Sequence, residues 1–353
     1  MPRDDWGKAR NRDHGRSSVR RGEFEYSSAD NRRGVSSSDL TIPGETEFSL
    51  GEGFYWGDGV KLDKESAVVW YRKAAEQGHA GAQKRLGFCY SEGVGLPKDE
   101  ALAAQWYRKA AEQGDTFAQF NLALLCLEGS GVPRDEGQAV DWFRKAADQG
   151  FAGGLINLGL CYEQGIGVSR DLAKTFDLYK RAAEQGEAVA QHNLGVCYRD
   201  GLGVPQDHAQ AVLWFRRAAE VGDAWAQHSL ANCFEEGIGV LPDPAEAYHW
   251  YFRAAEQGEA GSQYNLGLLF QKGKGVPKDP ERAVVWFRMA AEQGLASAQY
   301  LLGKCYLEGS GLVRDHTQAA RWFRMAAEQG HVKAQFALGE RFEAGRGVTQ
   351  DHA

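Results

Sequence analysis

The sequence has no unbroken apolar run approaching the ~18 residues that a membrane-spanning helix needs, so insertion into a bilayer is not expected. The opening segment MPRDDWGKARNRDHGRSSVRRGEFEYSSADNRRGVSSSDL lacks the apolar centre of a secretory signal. Export by that route is therefore not expected, and the cytosol is the favoured compartment. Arg and Ser are frequent there, as in a transit peptide, yet Asp4, Asp5 and Asp13 stand among the basic residues and oppose that reading. With little apolar surface to offset its ordering entropy, the stretch 1–42 reads as a disordered tail.

Other absences narrow the chemistry. There are six cysteines, none in CxxC spacing, and there is no HExxH zinc signature. Nucleophile motifs of the S-x-x-K and G-x-S-x-G types are missing as well. No catalytic residue, metal ligand set or cofactor is therefore assigned. An excess of positive charge is also missing: residues 1–40 hold nine Lys/Arg and seven Asp/Glu, and the remainder holds 32 and 41. Nucleic-acid binding displaces counterions with a basic footprint, so an acidic body argues against it.

What the sequence has in quantity is glycine, 44 residues of it, much of it in phase. AAEQG stands at 74–78, 110–114, 182–186, 254–258, 290–294 and 326–330, and AADQG at 146–150 and AAEVG at 218–222 complete one spacing of 36. Such a period means stacked units in place of separate globular domains. In the unit 79–114, HAGAQKRLGFCYSEGVGLPKDEALAAQWYRKAAEQG, two helices are joined by a glycine-containing loop.

In the second helix, Ala103, Trp106, Tyr107, Ala110 and Ala111 form one apolar face at helical spacing. The series Trp70, Trp106, Trp142, Trp214, Trp250, Trp286 and Trp322, each followed by Tyr or Phe, is expected in the core. The helix begins at a recurring Asp, from Asp63 to Asp351, which caps orphan N–H groups, and Pro244 and Pro280 follow at the first helical position. It ends at Gly78 and its equivalents through Gly330, where a left-handed residue closes the helix. Glu76 and its equivalents oppose the helix dipole there; they are expected to serve the start of the next helix, aided by Arg72.

The first helix carries Gly87, with Gly or Ala at every equivalent position from Gly51 to Gly339, which implies close helix contact. The GxGV loops, from Gly57 and Gly59 to Gly345 and Gly347, lack the Lys-Ser/Thr of a phosphate cradle and read as tight turns.

Together, LGxxY, the GxGV loop, the capping Asp and A..WYRKAAEQG resemble the Sel-1-like repeat family, relatives of tetratricopeptide repeats, over about residues 43–353. The resemblance implies an all-α fold, a right-handed α-α superhelix or solenoid of helix-loop-helix repeats. It also implies a binding scaffold of the kind used in signalling, protein quality control or host–microbe contact. Eight full repeats and a C-terminal half repeat are expected at 43–353; the first resembles an N-terminal cap, and the last stops just past Asp351, by design or by truncation.

The disulfide-rich branch of the family has a cysteine pair in each repeat, and no repeat here has two. Helices of successive repeats lie at least ~8–10 Å apart and a disulfide needs Cα atoms within about 7 Å, so the cysteines are expected reduced and buried. His192 and His228, one repeat apart, are candidates to face each other, but two histidines do not make a zinc site.

By analogy with tetratricopeptide arrays, the first helices line the concave groove, and function lies where the repeats differ. The variable stripe reads Phe117, Phe120, Leu124, Leu127 in one unit and Trp225, His228, Asn232, Glu235 in another. Tyr264, Tyr300 and Phe336 continue the register of Phe120 and His228 as an aromatic ladder. Partner-binding residues are therefore expected at Phe117, Phe120, Trp225, His228, Asn232, Tyr264, Tyr300 and Phe336, with packing between helices as the competing role. The expected partner is a protein or peptide, not nucleic acid. The alternatives are an RNA-binding helical repeat, which the acidic body opposes, and a hydrolase of the cysteine-rich branch acting on β-lactams.

Overall fold

The computed structural model describes residues 42–344, and every regular element among them is an α-helix. The first helices of the repeats are α1 (Glu45–Trp56), α3 (Ala80–Glu92), α5 (Thr116–Glu128), α7 (Ala152–Gln164), α9 (Ala188–Asp200), α11 (Ala224–Glu236), α13 (Ala260–Lys272), α15 (Ala296–Glu308) and α17 (Val332–Ala344). Their second helices are α2 (Lys64–Glu76), α4 (Glu100–Glu112), α6 (Glu136–Asp148), α8 (Leu172–Glu184), α10 (His208–Glu220), α12 (Pro244–Glu256), α14 (Pro280–Glu292) and α16 (His316–Glu328). The chain forms two compact units, residues 42–190 with 202–204, and 191–201 with 205–344. Within each, a first helix packs on its own second helix, and that second helix on the next first helix. The expected tail, Gly345, Gly347 and Asp351 lie outside the described residues.

The local signals act as expected. The side chains of Asp63, Asp99, Asp135, Asp171, Asp207, Asp243, Asp279 and Asp315 accept from N–H groups in the first turn of the second helix, as Asp99 does from Leu102 at 2.9 Å. At the other end, Gly78 has φ +93°; its N–H donates to Ala75 O and that of His79 to Ala74 O, both at 3.1 Å. This is a Schellman closure, in which the paired alanines supply the carbonyls that accept.

Glu76 and Glu112 are exposed and cap nothing. In five repeats the residue after the glycine caps the next helix instead: His79 accepts from Ala82, Asp115 from Ala118, Asp223 from Ala226, Glu259 from Gly261 and Ser262, and His331 from Ala334, whereas Phe151 and Leu295 give no side-chain cap. That residue lies three positions ahead of the donor, the reach of a cap, and Glu76 does not. Arg72 likewise reaches forward, to the Tyr90 hydroxyl at 2.8 Å.

The core differs from expectation in one position. The fully buried aromatic is the residue after the tryptophan: Tyr71, Tyr107, Phe143, Phe215, Tyr251, Phe287 and Phe323, with Tyr179 in the same register. Its ring lies over the small residue of the first helix; a Cβ on Gly267 would stand 2.4 Å from the Phe287 ring, and one on Gly87 2.6 Å from Tyr107. Trp142, Trp250 and Trp322 are buried, whereas Trp70, Trp106, Trp214 and Trp286 are half-buried. A cation three residues on covers several of these rings: Lys73 lies 4.1 Å from Trp70, Lys109 4.1 Å from Trp106 and Arg217 4.4 Å from Trp214.

The second loop glycine answers to more than turn geometry. At Gly95 (φ +69°) a Cβ would come 2.3 Å from Lys64 O, and at Gly275 (φ +75°) 2.3 Å from Pro244 O, each on the preceding repeat's second helix. Gly59, in the first repeat, would meet nothing within 4 Å. The glycine is therefore required by the approach of one repeat to the next.

The Q of AAEQG forms a ladder. Gln113 Nε2 donates to Gln83 Oε1 at 2.7 Å and to Gly78 O at 3.0 Å, while Gln83 Nε2 donates to Ala75 O at 3.1 Å. Gln293 repeats this with Gln263 and Gly258 at 2.8 and 3.0 Å. Leu155 and Val221 occupy two of these positions and carry no amide. All six cysteines are buried and free.

Candidate functional site

The predicted partner-binding positions stand on first helices, and several of them also pack against a neighbouring ring. In the first unit, Phe117 of α5 is half-buried and edge-on to Tyr107, ring centroids 6.5 Å apart. Phe120, one turn later, is only 1% exposed, wedged between Phe143 at 5.9 Å and Phe151 at 5.5 Å. Phe120 therefore belongs to the core and offers no surface to a partner, contrary to the expectation from its register.

In the second unit, Trp225 is half-buried at the start of α11. His228 lies 5.7 Å from the Tyr251 ring, and its Nδ1 is 2.9 Å from Ser262 Oγ and 3.0 Å from Glu259 Oε2. Asn232 Oδ1 accepts from the Tyr251 hydroxyl. Tyr264 rests on Phe287 at 6.2 Å, and Tyr300 on Phe323 at 5.8 Å with His331 stacked at 4.9 Å. Phe336, on α17, is 71% exposed. The ladder register is thus the one whose ring seats against the repeat's own core aromatic.

The histidines do not pair as expected. His192 Nε2 meets Ser229 Oγ at 3.1 Å, and His228 meets Ser262 and Glu259, so each ties its first helix to the next one. Burial alone would raise the Glu259 carboxyl, but hydrogen bonds from His228, Ser262 and Gly261 outweigh it and hold the carboxyl at about 2. Serine, histidine and glutamate meet here without forming a catalytic triad. Ser262 and Glu259 both approach the same ring nitrogen, whereas a relay needs the nucleophile and the orienting acid on opposite nitrogens. Among the described residues, no three or more His, Cys, Asp or Glu side chains are placed to hold a metal ion, and no helix is long and apolar enough to cross a membrane.

One polar cluster escaped sequence reasoning. Arg85, 2% exposed, donates to Glu52 through Nε at 2.7 Å and a terminal nitrogen at 2.6 Å; Tyr71 and Trp56 also donate to Glu52. Burial works to raise the Glu52 carboxyl, and the Arg85 bonds and charge outweigh it and lower it. The signal lay in departures from the repeat, Arg85 where Asn121 and Asn157 stand elsewhere and Glu52 in place of apolar Phe88 and Leu124.

Comparison with known proteins places these features in a family. A Sel1 repeat protein from Oxalobacter formigenes has a structure that superposes with a TM-score of 0.69 at 35% identity, covering 84% of this chain and 87% of that one. A protein described as a protective antigen present in uropathogenic Escherichia coli strains, displaying an SLR fold, gives 0.62 at 37% identity, covering 87% and 74%. No curated protein matches the chain. The Sel1 repeat family matches at residues 45–79, 80–115, 116–151, 152–187, 188–223, 226–259, 260–295, 296–331 and 332–353. With these matches in phase with the AAEQG spacing and two similar structures above 30% identity, the chain belongs to the Sel1 repeat family.

Proposed function

We propose that this chain is a non-catalytic interaction scaffold that takes a peptide or partner protein along its first helices, the side expected to line a concave groove. Sel1 repeats are commonly protein-interaction scaffolds and generally non-enzymatic. One observation carries the assignment to the first helices: the recurring letters are occupied by structure. The aspartates cap, the glycines close and admit neighbours, the alanines and paired aromatics fill the core, and the glutamines bridge repeats. Partner selection then falls to positions that differ between repeats and keep some surface. In the second unit these are Trp225, His228, Asn232, Tyr264 and Tyr300, all half-buried, and the exposed Phe336; in the first unit Phe117 remains. Aromatic anchors of this kind contribute most of the affinity at many interfaces.

The test is affinity capture from lysate with native protein and with a Trp225→Ala/Tyr264→Ala/Tyr300→Ala variant, both checked for folding by thermal melting. Proteins held by the native chain and lost by the variant support the proposal; an unchanged set moves the contact surface elsewhere. Capture of RNA that weakens steeply with salt would favour a nucleic-acid role.

A further inference from the structure

The second helices treat their tryptophans in two ways. Lys73, Lys109, Lys145, Arg217 and Arg253 each stand three residues after a tryptophan and lie 3.8–5.2 Å from its ring. After Trp286 and Trp322 that place is taken by Met289 and Met325, which with Met1 are the chain's three methionines. On α14 the exchange leaves apolar surface open to solvent. Met289 is 41% exposed, Val285, one turn earlier on the same face, is 56% exposed, and Trp286 beside them is half-buried. Single exposed apolar side chains are ordinary, as with Val69 on α2 and Leu213 on α10. Among the described second helices, α14 alone pairs two of them.

The charges around this pair are ordered by distance from Phe287, the buried centre of the helix. Val285 and Met289 lie two residues either side of it, and the exposed Arg282 and Glu292 lie five either side. The Arg282 side chain is 68% exposed and 3.2 Å from Asp279, a solvated pair that contributes little and leaves the guanidinium able to turn. Arg288 is drawn aside, donating to the Tyr306 hydroxyl at 2.9 Å.

We infer that this face of α14 is an interface with a second copy of the chain, the two α14 helices crossing antiparallel about a two-fold axis at Phe287. That axis sets Val285 of each copy against Met289 of the other and brings Arg282 of each towards Glu292 of the other. At the ends Glu281 meets the neutral Gln293, so no like charges oppose along the helix. A parallel crossing would set Arg282 on Arg282 and Glu292 on Glu292. The pattern therefore selects a second α14 and its direction, by charge as well as by apolar surface. A flexible thioether also adapts to such a contact, where the cation of the other repeats would have to give up water. The apolar area is small, so the dimer is weak and reversible. It is formed by second helices and does not depend on the first-helix row binding a partner.

Sedimentation velocity of the full chain tests this over about a hundredfold range of concentration reaching about 100 μM. A reversible equilibrium between monomer and dimer is expected. Val285→Asp or Met289→Lys is expected to weaken it about tenfold or more, with the melting temperature unchanged because both side chains face solvent. Arg282→Glu alone and Glu292→Arg alone are each expected to weaken it as well. The double variant Arg282→Glu/Glu292→Arg is expected to restore it, since exchanging the two signs preserves the pairing. The Trp225→Ala/Tyr264→Ala/Tyr300→Ala variant is expected to dimerise as the native chain does, so that failure of either proposal leaves the other standing.

A chain that stays monomeric throughout overturns the inference. So does a dimer indifferent to both Val285→Asp and Met289→Lys, which would associate through another surface. A double charge variant that associates no better than either single one excludes the antiparallel crossing and overturns it equally.

Discussion

Glycines identical in sequence register meet different surroundings, and that difference sets the sign of a substitution. At Gly267 a Cβ would stand 2.4 Å from a core ring, so Gly267→Ala is expected to destabilise by about 1–3 kcal/mol through overpacking. At Gly339 nothing lies within 4 Å, so Gly339→Ala is expected to stabilise α17 by about 1 kcal/mol. Melting curves of the two variants against the native chain check the opposite signs. The paired aromatics separate in the same way. Phe215 is fully buried and Trp214 half-buried beneath Arg217, so Phe215→Ala is expected to cost about 3–5 kcal/mol and Trp214→Ala less. Equal shifts in urea midpoint would show that Trp214 carries as much of the core as its neighbour. Sequence spacing alone assigns both residues to the apolar face, because helical period resolves a face and not the depth of each side chain within it.

At the scale of the element, each helix is held by hydrogen bonds of two ranges. Caps and closures join residues three to five apart, and those of the second helices were legible in the letters of one repeat. The glutamine ladder joins residues 30 apart, and its recurrence was visible while its partners were not. Removing one rung tests it: Gln293→Ala leaves the buried Gln263 Oε1 without this donor and is expected to cost about 1–3 kcal/mol. Pairing Gln263→Leu with Gln293→Val imitates the residues found at Leu155 and Val221, and the double substitution is expected to cost less than the sum of the singles. A double-mutant cycle by urea denaturation measures the coupling, and strict additivity would mean that the amides do not act together.

For the whole molecule, stability is a chain of neighbour contacts, since each helix packs on the helices beside it in its unit. A joint such as His228 with Glu259 therefore contributes where repeats meet. The Glu259 carboxyl is lowered from the ordinary 4.5 to about 2, so its stabilisation is present above about pH 4.5 and lost as pH falls towards 2. The shift corresponds to at most about 3 kcal/mol. Glu259→Gln is accordingly expected to lower stability near neutral pH and to flatten its fall between pH 4.5 and 2, read from urea unfolding across that range. An acid limb unchanged by the substitution would place the loss in other carboxylates.

The sequence by itself determined the 36-residue period, the helix pair in each repeat, the Asp starts, the Gly ends and the small residue facing each second helix. Those features follow from backbone groups a few residues apart and from side-chain size, and every repeat states them again. Only the tertiary structure decided that Tyr107 lies deeper than Trp106, that His79 caps the helix where Glu76 does not, and that Arg85 meets Glu52 from 33 residues away. It also separated Phe120, sealed between two rings, from Phe336, left open in the same register. The physical reason is that burial is a property of the neighbours. A first-helix aromatic loses surface wherever a second-helix ring packs on it, and it is most exposed on α17, where none does among the described residues.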